Sequence, residues 1–316
     1  MQRKTKRPLR WYHIRWQTAL VVLIGYFVAR YYLFGRYKHP AGSGPAGPTV
    51  AVEAFQKTWS TNQFVLVGIG DSVTAGFGAS ARHGYFELLL QNDDAKYPDM
   101  QGRDLRHVLP DITFQNRSVS YTVSEEHLDQ LPGVKSYPPS VHGIVVITTG
   151  GNDLIHDYGR SAPRDGAMYG CTYEQALQWK DNFRVRLKAI LNGLIRKFPG
   201  GCEVFLANIY DPTDGVGDIE HAHIALPAWP DGLKVLPLFN DIIGQTCHSY
   251  TNVHLVDFHA AFLGHGIHCA DRHNENYRKE DPYYWYFDNL EDPNDRGYDA
   301  IRRLFLIEMS KVYRHE

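Results

Sequence analysis

The stretch Phe64 to Gly78 (FVLVGIGDSVTAGFG) constrains the fold more than any other part of the chain. An apolar run of strand length stops abruptly at Gly70-Asp71-Ser72, and a second glycine-rich turn follows at once. This pattern predicts a buried strand that runs straight into a tight turn, with Ser72 at the mouth of a sheet. Such a site suits a nucleophile, because the turn exposes the hydroxyl while the sheet holds it in place. The stretch has no lysine of the Gly-Lys-Ser/Thr kind, which argues against a phosphate-cradling loop.

The rest of the chain alternates in the same way. Apolar runs at 64–69, 112–119, 144–148, 204–209 and 253–258 predict five strands, with helical patterns between them. The clearest helix runs over 172–198, where Phe183, Leu187, Ile190, Leu191, Leu194 and Phe198 recur at steps of three and four. Thr172 with Gln175 forms a capping box, and Pro199-Gly200-Gly201 ends the helix. Two further helices are predicted over 233–247 and 296–313. Alternation of this kind implies an α/β chain: a single three-layer α/β/α domain around a mainly parallel, five-stranded, flavodoxin-like sheet. Its site is expected beyond the carboxyl ends of the strands.

Charge separates the first 40 residues from the remainder. They hold nine Lys/Arg and no Asp/Glu, leaving 24 basic against 35 acidic residues in the other 276, a formal charge of −11. An acidic body argues against nucleic acid as a partner. The basic head followed by Thr18 to Phe34, flanked by Trp11, Trp16, Tyr26, Tyr31 and Tyr32 and interrupted by Arg30, has the pattern of a membrane anchor. The expected organisation is a basic cytoplasmic segment (1–16), a transmembrane helix (17–35), a Pro/Gly linker (36–50) and the main domain (51–316). The expected location is therefore the cell membrane, single-pass, with the N-terminus cytoplasmic and the domain outside. A cleaved signal peptide and an amphipathic helix lying on the domain are the competing readings. The four cysteines allow three pairings, which an exported domain permits, and none stands in a C-x-x-C motif.

Two further blocks fall at predicted strand ends. Thr148-Thr149-Gly150-Gly151-Asn152-Asp153 follows the third strand; its glycines let the backbone approach a ligand, and the Asn152 amide can donate to a developing oxyanion. A turn capped by an Asx side chain is the plainer reading of that block. Asn116 to Thr122 follows the second strand.

In this order and at these spacings, Gly70-Asp71-Ser72, the Asn116 block and Gly150-Gly151-Asn152-Asp153 resemble the SGNH (GDSL) hydrolase family. The resemblance covers residues 64 to 313. It implies a serine esterase in which Ser72 attacks an ester carbonyl, Asn152 and the backbone N–H groups of Ser72 and Tyr121 form the oxyanion hole, and a C-terminal Asp-x-x-His supplies the base. Two positions depart from the family pattern. Tyr121 stands where the family has glycine. In the C-terminal block, which keeps Pro293-Asn294-x-x-Gly297-Tyr298, Asp292 takes the histidine position and Asn289 the aspartate position.

A serine hydroxyl needs a base, worth about 10² to 10⁴ in rate. The segment Phe262 to Cys269 lies on the expected rim, so His265 is the candidate base, oriented by Asp292 or Glu291, with His268 second. Asp71, Asp153, Asp211, His268 and Glu291 are candidate substrate-lining residues. The aromatic run Tyr283 to Phe287 reads either as a stacking platform for a sugar ring or acyl chain, or as a packed lid. No metal or other cofactor is expected, because the histidine spacings match no zinc pattern. The expected substrate is a small-molecule, polysaccharide (O-acetyl) or lipid ester. The competing functions are a catalytically degenerate carbohydrate- or lipid-binding domain and an O-acyltransferase.

Overall fold

The computed structural model describes residues 10–30, 38–160, 168–222 and 226–313. It divides into two units, residues 1–39 and residues 40–316.

In the larger unit five strands form one sheet: β1 (Gln63–Gly70), β2 (Ile112–Asn116), β3 (Val141–Thr148), β4 (Cys202–Ala207) and β5 (Val253–Val256). Their order is β2-β1-β3-β4-β5 and every pairing is parallel. Successive side chains of a strand point to opposite faces, and the core divides accordingly. Phe64, Leu66, Ile144, Val146 and Phe205 pack on one face with the helices Tyr85–Leu90 and Asp295–Tyr313. Val65, Val67, Val145, Ile147 and Val204 pack on the other with the helices Tyr173–Ile195 and Gly232–Ser249. The three-layer α/β/α arrangement expected from the alternation is the one observed, with strand bounds within three residues of those read from sequence. The capping box of the long helix is formed, with Thr172 Oγ1 accepting from Gln175 N and Gln175 Oε1 accepting from Thr172 N.

Residues 40–50 are not a free linker. Ala46 and Val50 are buried, and Ala46 N donates to the buried Asp299 carboxylate at 3.0 Å. Arg296 Nη1 donates to the carbonyls of Ser43 and Gly44. The glycines serve close approach: a Cβ at Gly47, whose φ is +82°, would sit 2.7 Å from Ala300 Cα. The same Asp299 holds Arg302 and Arg303 of the C-terminal helix, so this segment is tied to a buried charge cluster.

The N-terminal unit contains the helix Arg10–Arg30. Among the described residues no helix is long and apolar enough to cross a membrane. The uninterrupted apolar run, Thr18 to Ala29, is twelve residues and spans about 18 Å at 1.5 Å per residue, against a hydrocarbon core of about 30 Å. The remainder of the expected span, residues 31–35, lies outside the described residues. All four cysteines are free.

Candidate active site

Backbone sterics fix the turn after β1. Gly70 has φ +134°, and a Cβ there would lie 2.2 Å from the carbonyl oxygen of Thr148, its partner on β3. Only glycine fits such an approach. Asp71 then caps the short helix Ser72–Ala75: its Oδ1 accepts from Val73 N at 3.1 Å and from Thr148 Oγ1 at 2.7 Å. The hydroxyl line continues from Thr148 to Thr74 and Tyr85, each step 2.7 Å. Ser72 therefore stands in the first turn, where helical N–H groups lack intrahelical acceptors.

The second and third blocks converge on the same point. Beyond β2 the chain keeps running beside β1, with Val119 N donating to Gly70 O at 3.0 Å. Tyr121 has φ +71°, a conformation in which glycine is comfortable and tyrosine is not. That accounts for the glycine the family pattern carries at this position. Asn152 Nδ2 donates to Thr122 O at 2.9 Å, which ties the third block to the second and leaves the second amide hydrogen to the cavity.

Gln130 anchors the turn from below, accepting from Gly70 N at 2.9 Å and donating to Gly70 O at 2.8 Å. His127 bridges Thr149 Oγ1 and Thr122 Oγ1 at 2.9 and 3.0 Å. Burial pushes its imidazole down to about 3, so it is neutral. Sequence reasoning missed both residues, because they lie in an irregular stretch with no motif around them.

A cavity of about 40 Å³ opens at Ser72, lined among others by Asp71, Thr149, Asn152, Tyr210 and Glu291. Beneath it lies Asp292, 2% exposed. The Ser72 hydroxyl hydrogen-bonds the Asp292 carboxylate, and Asn289 Nδ2 donates to Asp292 Oδ2 at 2.6 Å. Oδ1 is buried and has no other well-aligned partner. Asn289 Oδ1 in turn accepts from the N–H groups of Glu291 and Asp292, closing the loop on itself.

Burial pushes the Asp292 carboxyl above its usual range, against the pull of the bonds from Ser72 and Asn289. Burial also raises Asp71 to about 6 and Glu291 to about 7, and the charge of Asp292 adds to both. The serine thus sits among three carboxyl groups with elevated proton affinity.

His265 is placed elsewhere. Its ring stacks on Trp285 at 3.5 Å between centroids and 6° between planes, and Nδ1 pairs with Tyr283 O at 3.0 Å. Burial lowers its pKa to about 4. It does not line the Ser72 cavity. The cause is Asp214, whose carboxylate accepts from Gly264, Gly266 and His268 N–H groups and wraps the loop about itself. His268 is turned to Asp218, with Nε2 to Oδ1 at 2.8 Å.

Of the other candidates, Asp71 and Glu291 line the cavity, and Asp211 lines a neighbouring one. Asp153 lines neither: fully buried, it accepts from Ser124 N and Oγ and faces Arg186 at 3.8 Å. In the aromatic run Tyr284, Trp285 and Tyr286 are buried core residues, so the packed reading describes them. No group of His, Cys, Asp and Glu suited to hold a metal occurs among the described residues.

Comparison with known proteins agrees with this geometry. Residues 69–300 match the GDSL-like Lipase/Acylhydrolase family, well over half of the chain. A search of curated proteins finds no match. Among solved structures the chain is similar to BT4096, a gut microbial diltiazem-metabolizing enzyme, with 14% identity, a TM-score of 0.50, and coverage of 84% of this chain and 48% of that one. It is also similar to the psychrotrophic esterase EstA from Pseudoalteromonas sp., with 18% identity, a TM-score of 0.45, and coverage of 79% and 98%. A third neighbour is the extracellular lipase of Streptomyces rimosus, with 13% identity, a TM-score of 0.48, and coverage of 78% and 99%. The chain belongs to the GDSL-like lipase/acylhydrolase family and is a hydrolase of ester bonds.

Proposed function

We propose that the protein hydrolyses short-chain carboxylic esters through an acyl-enzyme at Ser72, with Asp292 as the general base. Asp292 accepts the Ser72 proton as Oγ attacks the carbonyl carbon, and the oxyanion is held by Asn152 Nδ2 and the N–H groups of Ser72 and Tyr121. The proton passes to the leaving alcohol as its C–O bond breaks. Water then attacks the acyl-enzyme, giving a proton to Asp292, and the tetrahedral intermediate collapses with that proton returning to Ser72.

The observation that carries this reading is the pairing of Asn289 with Asp292. An imidazole base needs an acceptor behind it, which an aspartate supplies; a carboxylate base needs a donor, which an asparagine supplies. Both positions of the family motif have changed together, and the 2.6 Å bond between them is the product. A serine site that had simply decayed would have no use for the matched pair. Burial supports the role further, because a carboxylate with raised proton affinity is a better base than an exposed one near 3.9.

The short acyl group follows from size. A cavity of about 40 Å³ at Ser72 holds the equivalent of about three waters, at roughly 10 to 15 Å³ each, which matches an acetyl group. Comparing aryl acetate with aryl octanoate tests this. Acetate should have the higher kcat/KM by at least about tenfold, as burying or excluding several methylenes costs well over 1.4 kcal/mol. A preference for octanoate would overturn it.

A further inference from the structure

A second cavity of about 70 Å³ adjoins the Ser72 cavity, and Ile155, Ile209 and Tyr210 line both. Its distinctive wall is made of Tyr158, Tyr169 and Trp229. Tyr158 meets Tyr169 edge to face, with centroids 5.6 Å apart, and Tyr169 meets Trp229 at 5.0 Å and 45°.

Each ring has its polar end tied to a backbone carbonyl. Tyr158 OH donates to Asn289 O at 3.0 Å, Tyr169 OH to Pro227 O at 2.5 Å, and Trp229 Nε1 to Cys171 O at 2.9 Å. The hydroxyl and indole donors are therefore spent, and the rings offer a ligand their π surfaces.

Carboxylates surround this box. Asp211 lines it and is itself buried. Glu220 lies close enough to Tyr169 to raise its phenol pKa, and Glu220 Oε2 is buried with no hydrogen-bond partner among the described residues. Glu291 acts on Tyr158 in the same way. Arg160 opposes them, and Tyr169 and Glu291 both feel its charge.

An anion would be repelled here, and a neutral group would gain nothing from the carboxylates. An inorganic cation or a primary ammonium would need several oxygen ligands, which the apolar wall lacks. An alkylated ammonium needs none: it is weakly hydrated, is attracted to ring faces, and gains from nearby carboxylates without touching them.

We propose that this cavity binds the tertiary or quaternary ammonium group of a small ester whose carbonyl lies at Ser72. The link to catalysis rests on Ser72 being the nucleophile; the cation site itself does not.

Two measurements keep these apart. Binding is read with the Ser72→Ala protein by tryptophan fluorescence, titrating choline against its uncharged carbon isostere 3,3-dimethylbutanol. Choline should quench saturably and at least about tenfold more tightly than the isostere, in line with a desolvated cation–π site. Trp229→Leu should abolish the signal, and Glu220→Gln, which leaves the ring box intact, should weaken choline several-fold without affecting the isostere. Equal binding of the two alcohols, or no binding of choline by folded protein, would overturn the proposal.

Hydrolysis is then compared for acetylcholine and 3,3-dimethylbutyl acetate. A preference for the charged ester of about tenfold in kcat/KM extends the site to substrate recognition. Selective choline binding with neither ester hydrolysed would support the cation site and count against Ser72 as nucleophile.

Discussion

The Ser72 hydroxyl hydrogen-bonds the carboxylate of Asp292, and Asn289 donates to that carboxylate from behind at 2.6 Å. A buried acid thus occupies the place where the family motif carries an imidazole, and its supporting residue has changed from acceptor to donor with it.

The pairing can be tested by restoring half of it. Asn289→Asp places two carboxyl groups in contact, which raises the pKa of Asp292 by a unit or more. The acid limb of kcat/KM should move to higher pH by that amount, and activity at pH 6 should fall about tenfold. Adding Asp292→His to that variant should recover activity above the single variant. A pH profile unchanged by Asn289→Asp would show that residue 289 does not tune the base.

Asn152→Ala removes an oxyanion donor and the bond to Thr122 O. Turnover should fall by about 10² to 10³ with a small change in KM. Steady-state kinetics on an aryl acetate measure it, and an unchanged kcat would exclude the role.

Tyr121 holds a left-handed conformation at φ +71°, which costs a residue with a Cβ about 1 to 2 kcal/mol. Replacing it with glycine relieves that strain but loosens the unfolded chain by about 0.5 to 1 kcal/mol. Tyr121→Gly should therefore be neutral to more stable by about 1 kcal/mol in urea denaturation, whereas Tyr121→Val should be destabilised.

Asp71 gives a pH signature. Burial raises its carboxyl from 3.8 to about 6, so between those values the native state holds a proton that the unfolded chain has released. Its contribution to stability is therefore lost as pH rises through that window, by about 3 kcal/mol for a shift of about two units. Asp71→Asn keeps the acceptor for Val73 N and Thr148 Oγ1 and has no charge to desolvate. Its stability relative to the parent protein should rise from pH 4 to pH 7 by that order, measured by urea denaturation at each pH. A constant difference across that range would contradict the shift.

Much of the scaffold could be read in advance. Gly70, Ser72 and Asn152 lie at strand ends because local sterics put them there: the Gly70 approach to Thr148 O permits nothing larger. The position of the base could not be read, because it depends on long-range contacts. Asp214 folds the 264–268 loop so that His265 packs on Trp285, far in sequence from the residue that directs it. The glycines of residues 40–50 misled in another way. Gly47 marks close packing on Ala300, where composition alone suggests a loose tether. The aromatic box of Tyr158, Tyr169 and Trp229 was invisible for the same reason as Gln130: its members come from separate loops with no shared motif.

The most direct test of the account compares two variants in hydrolysis of an aryl acetate. His265→Phe keeps the stack on Trp285 and removes both ring nitrogens; Asp292→Asn keeps the shape of the acid and removes its basicity. With Asp292 as base, Asp292→Asn should lose about 10² to 10⁴ in kcat while His265→Phe stays within a few-fold of the parent protein. A large loss in His265→Phe beside near-normal turnover in Asp292→Asn would contradict it.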